Sequence, residues 1–372
     1  MKRERVINSF IDMVKIYSPS LNEKEYSEYL VKQLERLGLE VYLDLGFKKY
    51  GGNAPTIFAK LKGNVSGEGV TLAAHMDVVE PCANINPIVD GDFIKTDETT
   101  TLGGDDKAGI AAILEVLENL IESEAKHEDV FVLLTPCEEN GMLGAKNIDW
   151  DLVPTHMIPA KNMIVIDNSG RAGLIAHTAP SKYDFKITFK GRKAHAGIEP
   201  EKGINAIVVA SKAISNMHIG RIDEVTTSNI GKIEGGGATN IVTDEVCFTA
   251  EIRSHVNERL IEEIEHMKTC CEGAAKSMNA TCKFENENAY PSFELSKDSY
   301  IFKLTEGATK KAGVEPIPMI IGGGSDANIM ANLGYQSAII SIGMYNVHTV
   351  NEYLNIDELF AASKIVYNMM AL

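Results

Sequence analysis

Basic side chains are scarce in this chain of 372 residues. Its 36 lysines and arginines face 52 aspartates and glutamates, a formal net charge of −16, which argues against nucleic acid or an anionic membrane as the main partner. Long apolar runs are missing too, and none is long enough to span a bilayer. Met1 to Tyr17 has the pattern of an amphipathic helix with charges throughout and lacks the apolar centre of a signal peptide. Cysteine is sparse: Cys82, Cys137, Cys247, Cys270, Cys271 and Cys282 include no Cys-x-x-Cys pair and mostly fall within apolar strand or helix patterns. They read as buried reduced thiols, which makes the cytoplasm the expected compartment. There is no internal repeat and no low-complexity linker. What remains, 44% apolar and 24% charged residues, is ordinary for a soluble globular protein with a large core and two domains.

Within this chain the run Thr71-Leu72-Ala73-Ala74-His75-Met76-Asp77-Val78-Val79 reads as a buried strand that carries His75 and Asp77 to an exposed edge. Residues two apart in a strand share a side, so the Asp77 carboxylate can accept the ring N–H of His75 and leave the other nitrogen for a metal. Other apolar runs end in the same way. Val130 to Leu134 leads through Thr135-Pro136-Cys137 into Glu138-Glu139-Asn140-Gly141, and Met163 to Ile166 ends at Asp167-Asn168-Ser169-Gly170. Ala338 to Gly343 leads to Asn346-Val347-His348-Thr349, and Leu102-Gly103-Gly104-Asp105-Asp106-Lys107-Ala108-Gly109 opens a helical segment, Ile110 to Leu120. Ligand sites of α/β sheets gather at strand ends, and two histidines with several carboxylates there make the donor kit for two zinc-like ions.

The first part of the chain alternates helix (Glu23 to Leu37) and strand (Leu39 to Leu45, Thr56 to Lys62), then continues through the runs above, an α/β pattern with a central mixed or mostly parallel sheet. From about Ser181 the order becomes strand (Tyr183 to Phe189), helix (Gly203 to Met217), two strands (Thr226 to Ile233, Glu245 to Arg253), long helix (Asn257 to Met278) and strand (Ala280 to Glu285). That β-α-β-β-α-β order is ferredoxin-like. The α/β pattern then resumes with a helix from Ser299 to Ala312, a strand from Ile317 to Ile321 and a helix beginning near Asn355. The expected fold is therefore an α/β catalytic domain, residues 1–180 and 290–372, interrupted by an inserted ferredoxin-like α+β lid and dimerisation domain, residues 181–289.

Taken together, His75-Met76-Asp77, Gly104-Asp105-Asp106-Lys107, Glu138-Glu139-Asn140-Gly141, Asp167 and His348 resemble, in family order, the motifs of the dinuclear zinc metallopeptidase superfamily that includes peptidase T, carboxypeptidase G, the aminoacylases and succinyl-diaminopimelate desuccinylase. The resemblance spans essentially the whole chain. It implies that His75 and Asp167 bind one ion, Glu139 and His348 the other, that Asp105 bridges both, and that Asp77 orients His75. It also implies that Glu138 is the general base, taking a proton from a metal-bridging water and returning it to the leaving amine. Two Zn2+ per chain are the implied cofactors, with Co2+ or Mn2+ as alternatives. Asp106 stays outside the ligand set, since with Lys107 it can simply cap the following helix.

In the insert, Gly191-Arg192-Lys193-Ala194-His195-Ala196-Gly197 resembles the family's lid segment, whose histidine donates to the scissile carbonyl oxygen. By itself His195 reads as a surface turn. In dimeric relatives this group comes from the partner subunit, so a homodimer is expected. Asn240 and Arg253 match lid positions that hold substrate; an arginine fork suits a carboxylate, although a structural ion pair serves Arg253 nearly as well. Gly322-Gly323-Gly324-Ser325-Asp326 lacks the P-loop lysine and the dinucleotide spacing and reads, as in the family, as backbone lining a substrate pocket, with Gly323 at its centre. The implied activity is hydrolysis of a peptide bond in short peptides, most like a tripeptide aminopeptidase of the peptidase T branch. Met76-Asp77-Val78-Val79 is nearer to the carboxypeptidase and desuccinylase branches, which keeps a carboxypeptidase or N-acyl-amino-acid deacylase as the alternative. A catalytically silent peptide-binding protein would have lost the base or a ligand, and all six positions are filled.

Overall fold

The computed structural model describes residues 1–372, which divide into two compact units. The first comprises Met1–Thr178, Glu294–Ile321 and Ser325–Leu372; the second comprises Ala179–Phe293 and Gly322–Gly324. In chain order the main strands before the second unit are β1 (Glu40–Asp44), β2 (Thr56–Leu61), β3 (Val70–His75), β4 (Val130–Thr135), β5 (Asn162–Asn168) and β6 (Leu174–Ala179). The second unit holds β7 (Ser181–Lys190), β8 (Thr226–Gly235), β9 (Glu245–Ser254) and β10 (Thr281–Tyr290), and β11 (Ile317–Ile320) and β12 (Gln336–Ser341) follow. The helices are α1 (Arg3–Val14), α2 (Lys24–Arg36), α3 (Gly104–Glu122), α4 (Ala206–Ile214), α5 (Asn257–Ser277), α6 (Tyr300–Lys311), α7 (Asp326–Asn332) and α8 (Ile356–Met370). None of the helices is long and apolar enough to cross a membrane.

The large sheet of the first unit runs β1-β2-β4-β3-β5-β12-β6 along its main path, with β11 beside β6. Its centre, β4, β3, β5 and β12, is parallel throughout, while β1, β2 and β6 pair antiparallel. This is the mixed sheet expected. Val70–His75 and Val130–Thr135 are buried at every position, because a parallel strand covered on both faces must be apolar along its whole length. Helix α3 is buried along most of its length; apolar residues cover most of its surface, and its one polar stripe, Glu115 and Glu118, is paired with Arg5 and Arg36. Each large aliphatic side chain so enclosed is worth roughly 1.5–3 kcal/mol. Because β4, β3, β5 and β12 point the same way, the residues following them meet at one edge.

The second unit realises the β-α-β-β-α-β order. Its sheet runs β8-β9-β7-β10, with the two-residue strand Gly220–Arg221 at the edge beside β8, antiparallel throughout. One face packs Phe185, Ile187, Phe189 and Phe248 against Val209 of α4 and Met267 and Cys271 of α5. Helix α4 is shorter than Gly203 to Met217, because Asn205 caps it by accepting from the N–H groups of Ile207 and Val208. The expectation of six buried thiols is corrected. All six are free, but only Cys82, Cys137 and Cys271 are buried, while Cys247, Cys270 and Cys282 are half-exposed.

Candidate metal centre

Strand β3 ends at His75, short of Asp77, and this changes how Asp77 acts. The His75 Nδ1 lies 2.9 Å from the backbone carbonyl of Asp77 and 3.4 Å from its carboxylate, so the carbonyl is the nearer group fixing the ring. The carboxylate is occupied elsewhere. It accepts from the backbone N–H of Glu138 (2.9 Å), that of Glu139 (3.1 Å) and the Ser20 hydroxyl (2.6 Å). Asp77 thus ties the end of β3 to the segment after β4, where Cys137 takes a positive φ of 54°.

Asp105 stands between two imidazoles. Its Oδ1 is 3.0 Å from His75 Nε2 and its Oδ2 is 3.2 Å from His348 Nε2. Asp167 Oδ1 is 3.6 Å from His75 Nε2, and Glu139 Oε1 is 2.9 Å from His348 Nε2. The five expected ligands therefore fall into two groups that share Asp105. His348 sits with φ 64° in the loop between the short strands Met344–Tyr345 and Tyr353–Asn355, which pair with one another. Asp105 and Asp106 have non-helical backbone angles, so the regular helix begins after them. Asp106 accepts from Gly109 N–H (3.1 Å) and His75 N–H (3.3 Å). It is a cap, as expected, but its partner is not Lys107, whose ammonium is fully buried and donates to the carbonyls of Met13 and Ile16.

The electrostatics follow from crowding acids in a dry place. Burial, then the neighbouring Asp105, push the Asp167 carboxyl up to about 8. Burial lifts Glu138 well above the carboxylate range, with His75 opposing and Asp167 and Asp326 adding. Glu139 is raised by burial against the pull of His348. Asp105 goes the other way, because His348 and His75 outweigh the effect of its burial. Burial alone would lower His75, yet Asp167 and Asp105 hold it well above its ordinary value, and Asp105 and Glu139 hold His348 up to about 10. Protons on the imidazoles and acids thus offset the repulsion among these crowded carboxylates.

Glu139 Oε1 is buried without a hydrogen bond although His348 Nε2 is only 2.9 Å away. An imidazole nitrogen and a carboxylate oxygen that close, placed as an ion pair but poorly aligned for a hydrogen bond, are spaced as co-ligands of one ion. One ligand atom from each of His75, Asp105 and Glu139 lies within 4.8 Å of the other two, and the same holds for His75, Asp106 and Asp167. Imidazole nitrogens with carboxylate oxygens are the donor set of borderline divalent cations. The residues fit such ions.

Other expected residues lie in the second unit. His195 is exposed and its Nδ1 accepts from Gly197 N–H at 3.2 Å, so a neutral ring carries its proton on Nε2. Its backbone forms an isolated bridge to Ile241, and the Asn240 carbonyl accepts from Ala196 N–H at 2.8 Å; His195 and Asn240 are thus neighbours. Arg253 is already engaged. Its Nε and Nη2 donate to the two oxygens of Glu251 (2.9 and 3.1 Å) and its Nη1 to the Gly322 carbonyl (3.2 Å), so the fork expected to hold a substrate carboxylate makes an internal ion pair. Gly323 has open space where a Cβ would stand.

Three side chains around the centre escape sequence reading. Glu352 accepts from the N–H groups of Leu102, Gly103 and Asp105. Glu23 accepts from Cys137 N–H. Asp326 is buried and bonds the Thr135 hydroxyl. In sequence each is an acid in a loop or at a helix start, which is ordinarily solvated.

A family model described as Peptidase family M20/M25/M40 matches residues 71–372 of the chain. The uncharacterized protein YqjE of Bacillus subtilis (strain 168) is 37% identical over 366 residues, covering 98% of this chain and 97% of its own. Among solved structures, aminopeptidase PepT from Bacillus cereus ATCC 10987 superposes with a TM-score of 0.91 at 35% identity, covering 100% of this chain and 98% of its own. A tripeptidase from Staphylococcus aureus subsp. aureus Mu50 gives 0.95 at 34% identity, with the same coverage.

Proposed function

The chain belongs to peptidase family M20/M25/M40, and from that premise we propose that it is a dinuclear zinc peptidase acting on short peptides, most like a tripeptide aminopeptidase. The observation that carries this reading is the placing of Asp105, with one carboxylate oxygen toward His75 and the other toward His348. His75 and Asp167 would hold one ion, Glu139 and His348 the other, and Asp105 would serve both. Zinc suits these donors, and cobalt or manganese would be accepted by them. When bound, two such ions acidify a water and polarise the substrate carbonyl.

The chain's own groups do the rest. Glu138 takes the proton from the attacking water and returns it to the leaving amine; an acid that burial has raised well above its ordinary value is suited to both steps near neutral pH. Asp77 positions that base by holding the N–H groups of Glu138 and Glu139. His195, with its Nε2 proton free to donate, stabilises charge on the carbonyl oxygen and is contributed by the partner subunit of a homodimer. The second unit thereby serves as lid and dimerisation domain. The six unpaired thiols suit a reducing compartment, and we place the enzyme in the cytoplasm. Tripeptide specificity draws support from the tripeptidase and aminopeptidase likenesses.

The test is hydrolysis of a panel of free tripeptides, C-terminally blocked peptides and N-acyl amino acids by zinc-loaded protein and by Glu138→Gln. The variant should bind two ions per chain and lose about 10²–10⁴-fold in rate; full activity would remove Glu138 as the base. Release of the N-terminal residue only from free-amine substrates supports the aminopeptidase. Cleavage confined to N-acyl amino acids transfers the chain to the deacylase alternative.

A further inference from the structure

Helix α5 carries Glu263, His266 and Cys270 along one face, three and seven positions apart. Facing them is His218, in the segment after α4, whose carbonyl accepts from the Ser228 hydroxyl. The two imidazoles are stacked, ring centroids 4.0 Å apart and planes inclined by 13°. His218 Nδ1 lies 3.1 and 3.2 Å from the two oxygens of Glu263. His266 Nε2 lies 3.6 Å from Cys270 Sγ, and both of these atoms face the Asn216 carbonyl, at 3.2 and 3.3 Å. One ligand atom from each of His218, Glu263 and His266 is within 4.8 Å of the other two. All of these residues lie in the second unit.

We propose that His218, Glu263 and His266, with Cys270 beside them, form a further zinc site in the second unit. The first reason is charge. Glu263 is only 3% exposed, and its one partner is an imidazole that, when neutral, brings no positive charge to a buried carboxylate. Spacing is the second. Donors around a tetrahedral zinc stand roughly 3.3 Å apart for nitrogen and oxygen and roughly 3.5 Å for nitrogen and sulfur. The observed 3.1 and 3.6 Å within each pair are close to these, and turning the exposed His218 ring out of its stack on His266 would bring both imidazole lone pairs to one ion. The third reason is the exchange itself. His218 faces Glu263, while His266 and Cys270 donate to the Asn216 carbonyl; a cation bound by these side chains would displace the two bonds to Asn216 and join the same two segments through its own ligands. Nitrogen, oxygen and sulfur donors select a borderline ion such as Zn2+ over Mg2+ or Ca2+. Bound there, it would clip the segment after α4 to α5.

This site is independent of the peptidase assignment, and the experiment keeps the two apart. The full-length protein, its Asp105→Asn variant, and each of these combined with His218→Ala and His266→Ala are dialysed against micromolar Zn2+ and their metal content counted. The histidine pair of substitutions should lower the count by one ion per chain in both backgrounds, with peptide hydrolysis unchanged where Asp105 is intact. His218→Ala alone, at an exposed ring, guards against a folding defect, which circular dichroism would reveal. In Co2+-loaded Asp105→Asn protein, Cys270→Ser should abolish a thiolate-to-metal charge-transfer band that no ligand of the catalytic centre can produce. Equal zinc counts with and without the two histidines would overturn the site. Absence of that band, or its persistence in Cys270→Ser, would remove Cys270 from it.

Discussion

A single buried acid, Glu23, shows how the neighbourhood sets a residue's chemistry. Its side chain is fully buried. One oxygen accepts from Cys137 N–H and Leu21 N–H, at 3.0 and 3.1 Å, while the other has no hydrogen-bond partner. Burial, reinforced by Asp77, pushes its carboxyl from 4.5 up to about 7. A folded-state value above the unfolded one means that the associated stability is complete below pH 4.5 and is lost as pH rises through about 7. Glu23→Gln keeps the accepting oxygen and removes the titration. Its urea midpoint should match wild type near pH 4.5 and exceed it near pH 8, by on the order of 2–3 kcal/mol in stability. Parallel profiles for the two proteins would refute the effect.

Among the elements, the start of α3 bears the most. The Gly103 and Gly104 turn delivers Asp105 to the centre, and Glu352, from the loop that follows His348, receives the N–H groups of Leu102, Gly103 and Asp105 within 2.9–3.0 Å. Gly109 then lets the helix approach closely, since a Cβ there would lie 2.4 Å from the carbonyl of Ile166 and from Asp106 Oδ1. Glu352→Gln turns one accepting oxygen into a donor facing a donor. It should cost about 1–3 kcal/mol in stability and weaken zinc binding about tenfold or more by releasing Asp105. Thermal melting and zinc titration read the two effects separately, and unchanged zinc affinity would show that Asp105 is held by something else.

For the molecule as a whole, the proposed ligands join segments from His75 to His348, all within the first unit. Binding that favours the folded state stabilises by mass action, about 2.7 kcal/mol for each site at a hundredfold excess over its Kd. Removing metal with a chelator should therefore lower Tm, restored zinc should return it, and Asp167→Asn should shrink the difference. A Tm indifferent to chelation would deny the ions any part in holding the segments together. The acidic excess of the chain, −16 overall, works in the same direction, because bound cations relieve repulsion among its acidic groups.

The sequence alone determined the α/β class, the mixed sheet, the inserted β-α-β-β-α-β unit and the motif residues His75, Asp105, Glu138, Glu139, Asp167 and His348. The residues after strands stood out because a parallel strand buried on both faces is apolar to its end. Asp105 opens a helix instead, and it was the resemblance of the whole motif set to a known family that marked these residues as ligands and base. The tertiary structure alone decided which atoms meet. It gave the ring of His75 the carbonyl of Asp77, turned the Asp77 carboxylate to the N–H groups after β4, closed the Arg253 fork on Glu251, and buried Glu23, Glu352 and Lys107. It also brought His218 to α5. The reason is physical: periodicity records which face of an element is covered, whereas the pairing of a charge or proton donor depends on neighbours that chain topology brings from far along the sequence.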